Sequence, residues 1–525
     1  MTGDNADQSA VIDLLARPQT HGTSGPVERI DTHISHLFLA GERACKLKRA
    51  VRFPYLDFST RAARRAACAA EVRLNRRTAP DLYLGVAPVL RGADGALRLG
   101  AVGSAAGAGE TVADWVVVMR RFDQAMLFDA MAMRGALTAP LVEALADEIA
   151  AFHEKAAPAP GFGGAAGMGQ ALDGILAEIA RFTPRIFPAD DASALDAALR
   201  AALAAAAPML DARRDAGFVR RCHGDLHLRN VCLIGGRPTP FDAIEFNEAI
   251  ASIDVLYDLA FLLMDLEHRG LRPFANLALN RYLWRESDYG GLAMMPFFLA
   301  CRAAVRAHVA ATQAGGAGGA APAAEARDYL ALSAGFLRPT APRLLAVGGL
   351  SGTGKSMLAR RIAPAFGRAP GAVVLCSDVI RKRLLGVDPF TRLGPDGYAP
   401  EVTRRVYRTI RERAGEVLAG GHSVVADAVY ARADERAGIE AAARDAGARF
   451  DGLWLEAPEP VRIARVEKRR DDASDATAAV AAGQESYETG DSGWRRLDAG
   501  GDPDATAALA QKTLNLNEKR STLGA

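Results

Sequence analysis

Apolar and polar positions alternate twice near the start of the chain, in ISHLFLA (residues 34–40) and ACKLKRAV (residues 44–51). A period of two puts every second side chain on one sheet face, so these runs predict two strands joined by a turn at Gly41-Glu42. The segment TRAARRAACAAEVRLNRRTA has helix composition, opened by Thr60. LYLGVAPVLR, ALRLGAV and the β-branched DWVVVMRRFD predict three more strands. From Leu137 to about Leu210 the pattern is helical and Ala-rich, broken by the loop APAPGFGGAAGMG. VCLI and PFDAIEF predict two strands around the turn GGRPT, and helices follow to residue 338. Within them Ala314 to Ala326 is a low-complexity Gly/Ala segment, read as a surface loop or linker.

Near residue 340 the rhythm changes. RLLAVGGLSGTGKSMLARRIA, AVVLCSDVIRKRLLG, GHSVVADAVYARADERAGIEAAA and FDGLWLEAPEPVRIARVEKR each pair an apolar strand with a helix. That alternation predicts a mostly parallel sheet with crossover helices, an α/β domain. The expected organisation is a tail over 1–27, an α+β domain over 28–340 (small lobe 28–122, large lobe 123–340), an α/β domain over 341–515 and a tail over 516–525.

Composition changes this picture little. The 525 residues suit roughly two to four domains. A hydrophobic fraction of 50% supports substantial cores. The net charge of +2 gives no global field for nucleic acid, so a nucleic-acid partner is not expected. The start lacks a basic region followed by an apolar run, and SIDVLYDLAFLLMDLE is interrupted by three Asp. With six scattered Cys and no CxxC pair, a cytoplasmic protein with no membrane span is expected.

Candidate chemistry adds more. Gly349, Leu350, Ser351, Gly352, Thr353, Gly354, Lys355 and Ser356 match the phosphate-binding pattern GxxxxGK followed by Ser, between a strand and a helix. Its glycines let successive N–H groups turn inward on a phosphate, and the helix dipole adds to the attraction. Lys355 is expected to reach the β- and γ-phosphates of ATP, and Ser356 to ligate Mg²⁺. Asp378, just past a strand, is placed to take a proton from an acceptor hydroxyl, and Arg381, one turn on, to hold an anionic substrate group. Asp427, at another strand end, is expected to orient Mg²⁺ or its waters. Arg465, Arg469 and Arg470 suit a lid over phosphates. These parts resemble the small P-loop kinases of the gluconate-kinase-like, zeta-toxin-like and polynucleotide-kinase-like kinds.

The stretch RCHGDLHLRNVC raises a different question, because Cys222, His223, Asp225, His227 and Cys232 are zinc-ligand types. The three residues between His223 and His227 would suit a paired-His site, but Gly224 sits inside, no Glu follows His223, and Cys222 and Cys232 are too far apart for a paired-Cys site, so zinc is the lesser reading. The stretch does fit phosphoryl transfer: Asp225 is followed five residues later by Asn230, the spacing used in protein-kinase catalytic loops. Asp225 then accepts the acceptor's proton and Asn230 ligates nucleotide-bound Mg²⁺. A second acid is expected on the next hairpin, where PFDAIEF supplies Asp242 and Glu245.

His223, Gly224, Asp225, His227 and Asn230 resemble the HGDxHxxN signature of the aminoglycoside phosphotransferase and choline-kinase-like families, which share the protein-kinase fold. By that resemblance IEFNEA aligns with the family's metal-binding acid, putting Glu245 at the metal position, with Asp242 the alternative. The resemblance also implies a small β-rich lobe, in which Lys46 or Lys48 meets the nucleotide phosphates, Glu71 is the ion-pair partner, and the backbone around Met119 to Arg121 contacts adenine. End to end, the chain resembles a bacterial two-domain family joining an aminoglycoside-phosphotransferase-like domain to a P-loop ATP-binding domain. The implied function is an ATP- and Mg²⁺-dependent phosphotransferase with two nucleotide sites and a small-molecule hydroxyl acceptor. The alternative is an N-terminal nucleotide-binding pseudokinase beside an active P-loop half, acting on a small molecule or a polynucleotide 5′ end.

Overall fold

The computed structural model describes residues 8–53, 56–314, 320–468, 474–484 and 493–516. Contacts divide the chain into two compact units, Met1–Asp173 with Ala207–Leu262, and Gly174–Ala206 with Leu263–Ala525.

The first unit holds an antiparallel sheet in the order Glu28–Asp31, Ser35–Ala40, Arg43–Lys48, Thr111–Arg120, Tyr83–Arg91, Leu97–Leu99. The alternation predicted for ACKLKRAV is realised. Cys45 and Leu47 join the core under the helix Ser9–Leu15, with Phe38, Val116 and Val118. Ala44 faces the other side, with Cys68 and Val72 of the helix Arg61–Asn75. Period two therefore sends Lys46 and Lys48 toward that same helix. Thr60 caps it by accepting from Ala63 N. Beyond the lobe, Val231–Ile234 and Arg237–Pro240 form a hairpin, and Val219–Arg221 pairs with Ser252–Asp254. The second predicted strand thus sits earlier than PFDAIEF: pairing stops at Pro240, and Asp242 adopts a left-handed φ of 61° that no strand accommodates.

The second unit carries a five-stranded, wholly parallel sheet in the order Val373–Cys376, Val424–Asp427, Arg343–Gly349, Arg449–Glu456, Arg495–Asp498. Arg343–Gly349 lies centrally and its chain neighbours fall on both sides, so its C-terminal end is a switch point where such sheets bind ligands. The helices between 263 and 337 belong to this unit as well. One of them, Arg272–Glu286, covers the sheet edge: Asn280 Nδ2 donates to Ala372 O at 3.1 Å, and its Oδ1 accepts from Val374 N at 2.7 Å. The side-chain amide takes the place of a neighbouring strand, and Asn276 adds a second donor to Ala372 O. Asn280→Ala leaves Val374 N buried without a partner, at an expected cost of about 1–3 kcal/mol. Denaturant unfolding followed through Trp454 and Trp494, which pack against the same sheet, measures it.

By length and composition, two helical stretches could cross a membrane, Ala189–Asp215 and Gly290–Gln313; the second is largely buried within the protein.

Candidate functional sites in the two units

In the first unit the strand lysines converge on one helix carboxylate. Lys46 Nζ donates to Glu71 Oε1 at 2.9 Å and to Asp242 Oδ1 at 2.5 Å. Lys48 Nζ donates to Glu71 Oε2 at 2.6 Å and also to Glu245. Burial alone would lower both lysines, but Asp242 and Glu71 around Lys46, and Glu245 and Glu71 around Lys48, more than offset it and hold both charged. Burial works to raise Glu71, and the two ammonium groups bring it well below the usual carboxylate range. Burial and the neighbouring Glu71 push Glu245 up.

The predicted metal acids differ in access. The Asp242 side chain is 39% exposed, while that of Glu245 is 4% exposed and committed to Lys48. Of the two predicted metal acids, Asp242 is thus the more open and Glu245 the more enclosed. Asp242 is fixed by its N–H to Tyr83 Oη at 3.2 Å, and Ala243 N donates to Asn75 Oδ1 at 2.7 Å.

The loop His223–Asn230 is built around Asp225. Asn230 Nδ2 donates to Asp225 O at 2.9 Å and to Oδ2 at 2.8 Å, so Asn230 Oδ1 is left to serve as a ligand. His227 Nε2 lies 3.3 Å from Asp225 Oδ2. His223 Nε2 donates to Phe241 O at 3.0 Å, and burial lowers its pKa, which keeps it a neutral brace. Asp258 holds the loop from beneath, accepting from His223 N at 3.0 Å, Gly224 N at 2.8 Å and His153 Nε2 at 3.1 Å. Gly224 has φ 86°, and a Cβ there would stand 3.2 Å from Ala251 and Ile244, so the turn requires glycine. Among the described residues, the one group of three such donors within reach of one another is His153, Cys222 and Asp258, which shares only Cys222 with the zinc-ligand types of this stretch.

Met119 lies inside the sheet, opposite Ala44 and Tyr83, and its side chain joins the core. Arg120 N and Arg121 N donate to Leu82 O and Glu42 O.

In the second unit the P-loop follows the central strand. Gly349, Gly352 and Gly354 have φ of 140°, 87° and 95°. At Gly352 a Cβ would collide with the Arg462 backbone. Arg462, fully buried, donates to Ala481 O at 3.0 Å, and Ser351 N donates to Gln484 Oε1 at 2.7 Å. Lys355 Nζ reaches back to Leu350 O at 3.1 Å, Thr353 Oγ1 donates to the same oxygen, and Ser356 opens the helix Lys355–Ile362 beside it.

Asp427 closes its strand with Oδ2 buried and without a hydrogen-bond partner among the described residues. An orphaned carboxylate oxygen beside a phosphate cradle is a donor suited to a divalent cation. Burial raises the Asp378 carboxyl, the Asp427 charge adds to it, and the Ser474 hydroxyl and Lys355 oppose it. Arg381 donates to Gly397 O at 2.9 Å and Thr403 Oγ1 at 3.2 Å, lies over the Tyr398 ring, and keeps its Nε buried without a partner among the described residues.

Arg469 and Arg470 lie outside the described residues. Arg465 donates to Ala499 O and Gly501 O, both at 2.7 Å, and so ties down the loop after Arg495–Asp498. That loop borders a small apolar cleft beside the P-loop, lined by Gly354, Met357, Arg465, Ala499 and Pro503. Sequence reasoning missed this cleft, and also the buried Lys382–Asp475 pair, whose carboxylate accepts from Tyr398 Oη.

The family model of an AAA domain matches residues 344–489. The chain joins a half built on a six-stranded antiparallel sheet to a P-loop half. It is 29% identical over 486 residues to proteins of Mycobacterium tuberculosis and Mycobacterium bovis described as uncharacterized, an alignment covering 90% of this chain and 92% of theirs. A choline/ethanolamine kinase family protein from Mesorhizobium loti aligns with 63% of this chain and 94% of its own, at 15% identity and TM-score 0.38. A gluconokinase from Sinorhizobium meliloti aligns with 34% of this chain and 99% of its own, at 22% identity and TM-score 0.23.

Proposed function

We propose that the protein transfers the γ-phosphoryl group of ATP to a hydroxyl of a small molecule, with one nucleotide site in each half. The observation that carries this is the joining of Lys46, Glu71 and Asp242 in the unit that also orders Asp225 against Asn230. In that half Asp225 takes the acceptor proton, Lys46 turns to the phosphates, and Asn230 and Asp242 hold Mg²⁺. In the other half Lys355 and the P-loop amides hold the phosphates, Ser356 and Asp427 hold Mg²⁺, Asp378 takes the proton and Arg381 binds an anionic group of the acceptor. Bound Mg²⁺ neutralises phosphate charge; the side chains orient and accept protons. The exposed Asp242 carboxylate supports a working N-terminal site over a pseudokinase, because the acid that alternative lacked has a candidate. A cytoplasmic location, supported by six buried free cysteines, completes the reading.

The test is a metabolite screen with radiolabelled ATP on the full chain and on Asp225→Asn and Lys355→Ala variants. An acceptor labelled by the parent and lost in one variant assigns it to that half. Failure of both halves to bind ATP with Mg²⁺ would overturn the proposal.

A further inference from the structure

The strand Arg43–Lys48 presents two lysines on one face, and a phosphate needs only one of them. Lys48 has no exposed side-chain surface, lies 4.9 Å from the Phe58 ring centroid, and has its ammonium engaged by Glu71 and Glu245. Lys46 is 10% exposed and already bridges to the accessible Asp242. Three carboxylates thus surround two ammonium groups. When Lys46 meets phosphates while still paired with Glu71, and Asp242 turns to a cation, Glu245 stays buried and only Lys48 can balance it. A buried carboxylate stripped of its counter-charge is costly, so Lys48 cannot leave while Glu245 stays charged.

We propose that Lys48 and Glu245 form a positioning pair: together they hold Glu71 and the Asp242–Phe246 segment so that Lys46 and Asp242 face the nucleotide, and neither member touches phosphate or metal. This rests on the reading that the N-terminal half binds Mg²⁺–ATP. The pair explains why a glutamate stands where the related signature leads one to expect the metal acid. Its carboxylate is turned inward, and the metal role passes to Asp242. Removing Glu245 alone leaves Lys48 with a single carboxylate and draws Glu71 away from Lys46. Removing both charges returns Glu71 to Lys46.

The experiment measures Mn²⁺–ATP binding by electron paramagnetic resonance in full-length protein carrying Lys355→Ala, which silences the P-loop site. Thermal unfolding is recorded for every variant. Glu245→Gln is expected to weaken binding about tenfold, and Asp242→Asn by at least about a hundredfold. The double variant Lys48→Met/Glu245→Gln is expected to recover to within about threefold of the Lys355→Ala protein, since the interaction of neighbours is non-additive. A double variant that melts normally yet fails to recover overturns the pair. If the double variant does not fold, Glu245→Gln alone decides: a loss as large as that of Asp242→Asn makes Glu245 a ligand. Binding that Asp242→Asn leaves unchanged overturns the nucleotide-site reading itself, and the pair with it.

Discussion

Asp225→Asn, made in a Lys355→Ala background, is expected to lower ATP turnover by about 10²–10⁴-fold while leaving nucleotide affinity nearly unchanged. The substitution keeps the shape of the side chain and removes its ability to take a proton. The geometry predicts that the loop survives. Its backbone is held by Asp258 through His223 N and Gly224 N, and by the His223 brace to Phe241 O, none of which involves the Asp225 carboxylate. Asn230 keeps its bond to Asp225 O even when its bond to Oδ2 changes. Arg77 Nη1, which donates to Arg221 O at 2.7 Å, ties the loop to the end of the Glu71 helix. Loss of turnover with retained binding therefore reads as loss of the base. Steady-state turnover together with binding of a fluorescent ATP analogue checks it, and unchanged turnover would mean that the N-terminal half does no chemistry.

The residues of this site were legible in the sequence to different depths, for physical reasons. Lys46, Lys48 and Glu71 were readable because a period of two and a capped helix fix which faces meet. Asp225 and Asn230 were readable because a short loop fixes their spacing. Which of Asp242 and Glu245 stands open and which is enclosed was not. It depends on where pairing stops after Pro240 and on one left-handed residue, and a shift of path there exchanges exposed and buried positions. In the other half, the P-loop and the strand ends bearing Asp378 and Asp427 followed from local strand–helix rhythm. The strand Arg495–Asp498 did not, since RRLD shows no apolar pattern at an edge. Nor did the helix that caps the opposite edge. Asn276 and Asn280 stand four residues apart on an otherwise buried helix, which was the available signal, but only tertiary packing shows that they answer a sheet's unpaired groups. The apparent boundary at residue 340 marks a change of rhythm, while the packing of residues 263–337 follows the sheet they cover.

The roles proposed for the P-loop half, proton transfer at one acid and metal binding at another, are expected to separate in two substitutions made in an Asp225→Asn background. Asp378→Asn should lower ATP turnover by about 10²–10⁴-fold and leave Mg²⁺–ATP affinity within about threefold. Asp427→Asn should weaken Mg²⁺–ATP binding first, by about 10–100-fold. Asp427 ends one strand, in register with Cys376 of the parallel neighbour, and Asp378 stands two residues further on, in the first turn of the helix Ser377–Leu384. Their charges oppose each other, and burial makes the opposition costly, so Asp378 is the one held above the usual carboxylate range. A base must be deprotonated to act. Turnover should therefore rise with pH through the raised Asp378 value, and that limb should vanish in Asp378→Asn while surviving in Asp427→Asn at saturating Mg²⁺. Asp427, whose Oδ2 has no hydrogen-bond partner among the described residues, has more to gain from a cation than from a proton acceptor's role. A cation there also relieves its repulsion of Asp378, so added Mg²⁺ should move the pH limb to lower pH. If Asp378→Asn weakens metal binding as strongly as Asp427→Asn does, the two acids share the cation and the division of roles is wrong.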